Sequence, residues 1–316
     1  MPLHVSAALP ILEVSAPDVT SWLAERRTEL REAVREHGAL LIRGLGLDSA
    51  DAVAAAFRVL VDELMPHYEA FATRSTYEDG VYSSSKWPAD QPMCMHHELS
   101  YALRVPTLLL FACLTAPRSG GVTGLADARA VAAALPAELV ERFEREGWLL
   151  TRSYNGEIGV SWTEAFGTSD RAEVERYCRA NDIESEWLPD GTLRTRQRRR
   201  ALIPHPASGE RCWFNQVAFL NEWTMAPEIR EYLVEVYGRE ALPFNTAYGS
   251  GDPIGEDVIQ LLNDVYEAHT VREPWLRGDL MIVDNVRTAH SREAYEGTRE
   301  VLVAMGDPMP MVDVAR

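Results

Sequence analysis

Residues 93–101 read "MCMHHELSY", with two imidazoles and a carboxylate set side by side among residues of little other charge. On a strand, alternate residues share a face, so His96 and Glu98 point one way and His97 the other. An imidazole and a carboxylate on one face supply two of the three ligands of the 2-His-1-carboxylate arrangement, which holds non-haem Fe(II) and leaves coordination positions open. The third ligand has to come from His4, His37, His67, His205, His269 or His290. His290 has the best setting, because it follows "RGDLMIVDNVRTAH", an apolar strand running into a polar turn. Nine positions later Arg299 opens the last strand, where its planar fork suits a bidentate grip on a carboxylate. A satisfied polar cluster is the plainer alternative, with a His pair in a loop and His290 capping a turn. The H-x-E spacing alone favours that alternative; the distal histidine, the arginine and the strand contexts together favour iron.

The elements that would position these residues are readable around them. Apolar residues at helical spacing predict a helix over 17–38, ended by Gly38, and a second over 48–65, capped by Asp48 or Ser49. "ALLIRGL" between them is a short strand, and the unbroken apolar run "TLLLFACLT" at 107–115 a fully buried one. From Tyr68 to Met95 the texture is polar and irregular, and "YSSSKWPADQP" reads as a long functional loop. Helical texture returns at 136–147 and 169–182, and again near 226–238 and 254–268. Residues 186–216 read as successive strands with turns at Asp190-Gly191 and Ser208-Gly209. "GDLMIVDN" and "REVLVAMGD" close the chain as strands. This order predicts an α+β chain, mainly β at its core: one barrel or sandwich with helical insertions and flanking helices, and no regular βαβ alternation.

Composition limits the function. The 316 residues carry 31 Lys and Arg against 48 Asp and Glu, a formal charge of −17. Such a chain is repelled by nucleic acid, and no G-x-G-x-x-G or Walker motif follows a strand. The N-terminus lacks a basic stretch before its apolar run, and no apolar run is long enough to cross a bilayer, so neither a signal peptide nor membrane association is expected. Four scattered cysteines without C-x-x-C pairing fit reduced thiols, hence a cytoplasmic protein.

Across most of the chain the sequence resembles the Fe(II)/2-oxoglutarate-dependent dioxygenases of the taurine dioxygenase superfamily, particularly their syringomycin-type amino-acid β-hydroxylase branch. The resemblance is carried in order by "VYSSSKWPADQPMCMHHELSY", "SGGVTGLADAR", "LRTRQ", "HPASGERCWFNQ", "RGDLMIVDN" and "AHSREAYEGTREVLVAM". It implies one domain over residues 1–316 with a double-stranded β-helix, or jelly-roll, core. It also implies that His96, Glu98 and His290 bind Fe(II), that Thr123 contacts 2-oxoglutarate, and that Arg299 pairs with its distal carboxylate. Arg292, two residues after His290, is the other possible partner. Two positions depart from the pattern: Glu98 stands where taurine dioxygenase has Asp, as is common in this branch, and His97 replaces the usual Asn. His97 is then either a substrate or supporting contact or a core histidine. Halogenating relatives carry a small residue at the Glu98 position, so halogenation is not expected.

The implied reaction consumes 2-oxoglutarate and O2, yields succinate and CO2, and hydroxylates an unactivated C–H bond of an amino acid, free or tethered to a carrier protein. Desaturation or epoxidation would use the same ligands. A non-catalytic jelly-roll binding protein and a zinc hydrolase are the rivals from other classes; no hydrolytic motif supports the latter. Tyr101, Trp213 and Asn215 match polar and aromatic motif positions, each of which could equally be packing. "LRTRQRRR" is the one basic run, and as a strand it places Arg194, Arg196, Arg198 and Arg200 on one face. A solvated edge strand, a grip on a substrate carboxylate by Arg194 or Arg196, and docking of an acidic carrier protein are the three readings.

Overall fold

The computed structural model describes residues 4–5, 9–66, 69 and 71–311. Helix α1 (Val19–His37) begins where the Asp18 carboxylate accepts the Ser21 N–H at 3.1 Å. It ends at Gly38, which takes φ +85° and donates its N–H to the Val34 carbonyl. A Cβ there would lie 2.5 Å from Thr288 Oγ1, so both the turn and the close approach of another strand require glycine. Helix α2 (Ala50–Leu60) starts on the Ser49 cap and stops short of the expected Met65. From Val61 the chain is extended and lies on the last strand, where Leu64 bridges Gly306.

The major sheet has eight strands, in the order His4–Val5, Pro10–Glu13, Ala39–Arg43, Leu280–Asp284, Arg104–Thr115, Glu300–Pro310, Val81–Ser83, Thr76–Glu78. Its central strands are apolar without a break because both faces are buried. Leu108, Leu110, Ala112, Ile282, Leu302 and Ala304 point to one face and pack with α1 and α2. The alternate residues Leu109, Phe111, Cys113, Val283, Val301 and Val303 belong to a second core on the other side. That second side holds the minor sheet, Thr270–Val271, Leu125–Asp127, Thr288–Arg292, Met93–His96. Part of the expected loop before Met95 is therefore short strands.

A further four-stranded sheet runs Glu184–Trp187, Leu193–Arg199, Trp148–Tyr154, Phe244–Tyr248, and a hairpin pairs Leu202–Pro204 with Arg211–Trp213. The turns at Asp190-Gly191 and Ser208-Gly209 fall where expected. The basic strand, though, is not an edge. Glu184 and Glu186 of the strand beside it stand directly opposite Arg196 and Arg194, and opposite charges at facing positions let the arginines sit inside a sheet. With eight α-helices among the described residues, the chain is a mixed α+β protein. No described helix is long and apolar enough to cross a membrane.

Candidate metal centre

His96 ends the Met93–His96 strand and stands opposite His290 in the neighbouring antiparallel strand, with ring centroids 4.2 Å apart. Glu98 is not on that strand, as strict alternation would have it. The strand stops at His96, and Glu98 enters a turn in which Leu99 takes φ +54°. Asn285 holds this turn. Its Oδ1 accepts the Glu98 N–H at 2.9 Å, and its Nδ2 donates to the carbonyls of Glu98 and Pro106 at 3.0 and 2.9 Å. The Glu98 carboxylate thereby comes within 3.8 Å of His290 Nε2. One ligand atom from each of His96, Glu98 and His290 lies within 4.8 Å of the others, and all three residues are buried. They form the one His/Cys/Asp/Glu cluster of this kind among the described residues. Phe219 stacks on His96 at 4.6 Å and Phe111 sits 5.4 Å from His290, giving the imidazoles apolar walls.

Burial holds the pKa of both imidazoles below the usual value, so they are neutral and able to donate a lone pair at physiological pH. His96 Nδ1 is 2.8 Å from the Cys94 carbonyl. A carbonyl only accepts, so Nδ1 carries the proton and Nε2 is left for a metal. Arg74 donates through Nη2 to both Glu98 oxygens, at 3.1 and 3.2 Å, and is itself buried.

The cavity beside the triad is also lined by Ser84, Thr123, Arg292, Arg299, Val301 and Val303. Arg299 donates Nε to the Gly121 carbonyl at 2.9 Å, with Nη1 3.4 Å from Ser84 Oγ and Nη2 3.4 Å from Thr123 Oγ1. Burial pushes its pKa down to about 10, which leaves it cationic at neutral pH. Thr123 Oγ1 also accepts from Trp275 Nε1 at 3.2 Å, so the hydroxyl proton remains to be donated. Arg292 is differently employed. Its two terminal nitrogens donate to the carbonyls of Trp87, Pro88 and Gln91, at 3.2, 2.7 and 2.5 Å, and so fasten the loop before His96.

The remaining sequence candidates fall outside this cavity. His97 is fully buried against Phe214, with Nδ1 2.6 Å from the Asn285 carbonyl. Tyr101 donates its hydroxyl to the Glu69 carbonyl, and Asn215 bonds the backbone at Ala201 and Val217. Trp213 is in the core, packed edge-on against Phe143. Arg194 and Arg196 line a separate surface groove of about 650 Å³, where Arg194 pairs with Glu240 at 3.2 Å. His205 pairs with Asp284, and His269 caps its own helix through the Val265 carbonyl. His37 ends α1; His67 and the His4 side chain lie outside the described residues. Sequence reasoning missed Arg74, Trp275 and Asn285, although "IVDN" had marked Asn285 as the polar end of an apolar strand.

The chain matches the family described as "Taurine catabolism dioxygenase TauD, TfdA family" over residues 2–305 and belongs to it. It is an Fe(II)/2-oxoglutarate-dependent dioxygenase, an oxidoreductase whose cofactors are Fe(II) and 2-oxoglutarate. The chain is 34% identical over 278 residues to the dapdiamide synthesis protein DdaC of Enterobacter agglomerans, covering 88% of this chain and 84% of the relative. A clavaminate synthase-like protein of Arabidopsis thaliana is 28% identical over 311 residues, covering 95% and 91%. The fold is similar to that of AAD-2 in complex with Mn(II) and N-oxalylglycine (TM-score 0.57, 16% identity, 98% of each chain). It is also similar to that of PvcB, an Fe, alpha-ketoglutarate dependent oxygenase from an isonitrile synthetic pathway (TM-score 0.52, 17% identity, 96% and 88% covered).

Proposed function

We propose that this dioxygenase hydroxylates an unactivated C–H bond of an amino acid or a close derivative, and that His96, Glu98 and His290 are its metal ligands. The observation that carries the reading is the convergence of two neutral imidazoles from paired strands and one carboxylate from the turn after the first, beside a cationic arginine and a threonine. When bound, Fe(II) with 2-oxoglutarate and O2 supplies the oxidant for C–H cleavage and gives succinate and CO2. The protein's own residues position and shield. His96 presents Nε2 because Cys94 fixes its tautomer. Asn285 sets the Glu98 turn, and Phe111 and Phe219 keep water from the imidazoles. Arg299 offers the charge, and Thr123 the hydroxyl proton, for the distal carboxylate of 2-oxoglutarate. Arg292 is the less suitable partner, since three loop carbonyls already take its terminal nitrogens.

The two facing sheets with the site between them support reading residues 1–316 as a single double-stranded β-helix unit. A cytoplasmic setting is supported by the four free cysteines. The amino-acid class draws support from the relative named for dapdiamide synthesis. Desaturation or epoxidation would use the same ligands and is separated by product analysis. Carrier docking would fall on the outer face that bears Arg196 and Arg198, where Glu184 and Glu186 offset much of the charge. A panel of L-amino acids, assayed for substrate-stimulated succinate and for hydroxylated product, tests the proposal. Stimulation by at least one of them, with loss of one C–H, is expected; succinate release indifferent to every amino acid would overturn the substrate class.

A further inference from the structure

Arg74 is employed on one side only. Nη2 holds Glu98, while Nε and Nη1 are buried without a hydrogen-bond partner among the described residues. The side chain is only 6% exposed and lines the cavity that holds the triad, Thr123 and Arg299. A buried guanidinium with three N–H bonds unplaced is costly, and its cost is offset when an oxyanion fills the gap. The balance of charge around it says the same. Three arginines (Arg74, Arg292 and Arg299) face one carboxylate, Glu98, in this cavity. A divalent metal and doubly charged 2-oxoglutarate add no net charge, so the surplus stays positive once both are present. Met93, Phe111, Val301 and Val303 supply an apolar remainder.

We infer that Arg74 is the substrate anchor, and that the substrate enters with a free carboxylate that Arg74 receives beside Glu98. The inference deepens the amino-acid reading and rests on it only for the choice of carboxylate among oxyanions. It also selects a free acid over a carrier thioester, because a carboxyl tied up as a thioester brings no charge to Arg74.

The test is spectroscopic. The protein is loaded anaerobically with Fe(II) and 2-oxoglutarate, and the visible chelate band is followed as L-amino acids, their carboxamides, simple carboxylic acids and alkyl sulfonates are added. In the wild-type protein a carboxylate perturbs the band and its carboxamide does not. In Arg74→Gln the affinity for that carboxylate falls roughly a hundredfold, the scale of a lost charge-assisted hydrogen bond, with 2-oxoglutarate affinity changed by no more than a few-fold. Arg74→Lys recovers part of the loss and shows that the site still folds. If amino acids are silent while other carboxylates or sulfonates act through Arg74, the amino-acid reading falls and the anchor stands. Carboxamides that bind as well as acids, an Arg74→Gln protein that binds the acid like wild type, or a variant in which 2-oxoglutarate is lost equally would each overturn the inference.

Discussion

Arg292 and Arg299 line one cavity but differ in what their guanidiniums already hold. Arg299→Ala is expected to raise the KM for 2-oxoglutarate by roughly 10- to 150-fold, the equivalent of about 1.5–3 kcal/mol for a charge-assisted bond. Arg292→Ala strands three loop carbonyls instead, so it is expected to lower the unfolding midpoint while that KM stays within a few-fold. Initial-rate kinetics on both variants decide the matter, and the opposite pattern would make Arg292 the partner. His97 makes a prediction of a different kind. Burial pushes its pKa down to about 4 from 6.5, so between those values the unfolded chain binds a proton that the folded protein does not. Its contribution is fully present above pH 6.5 and is lost as pH falls toward 4, a change of roughly 3 kcal/mol at about 1.4 kcal/mol per pH unit. His97→Asn should therefore flatten the dependence of urea stability on pH across that window. An unchanged slope would mean that His97 is protonated in the fold.

At the scale of elements, the site depends on a turn that is held from elsewhere. Asn285→Ala removes two hydrogen bonds from Glu98 and a third from Pro106, and should weaken metal binding by roughly 10- to 100-fold, as loss of a supporting contact does. Metal titration at equilibrium checks this; unaltered affinity would show that the turn holds its shape unaided. Much of the scaffold was legible because the signals are local: Asp18 and Gly38 bracket α1, and unbroken apolar runs mark the central strands. That His96, Glu98 and His290 lie close together was legible too, although period-two reasoning puts Glu98 on a strand that ends at His96. What escaped depends on contacts distant in sequence. Nothing near Arg74 says that it will reach Glu98, and the positions of Glu184 and Glu186 opposite the arginine strand are a matter of register. That register bears on Arg194 and Arg196, which face a surface groove instead of the cavity. Single alanine variants at either position are expected to keep turnover of a free substrate within a few-fold; a large loss in either would return that arginine to the substrate site.

On the scale of the whole molecule, the major sheet separates two tasks, with one face packing α1 and α2 and the other walling the cavity. Leu110 is fully buried on the helix side, so Leu110→Ala should cost about 2–5 kcal/mol of stability while the folded protein still binds metal in full stoichiometry. Loss of metal below the unfolding transition would show that the two faces are coupled. In the proposed function, His96, Glu98 and His290 jointly hold Fe(II) so that 2-oxoglutarate can bind to it. Anaerobic titration of Fe(II) and then 2-oxoglutarate, read by the visible chelate band, tests it most directly. The wild-type protein should bind one Fe(II) per chain and develop the band, and His96→Ala, Glu98→Ala and His290→Ala should each lose it while remaining folded by circular dichroism. A full-strength band in any one of the three variants would contradict the assignment of that residue.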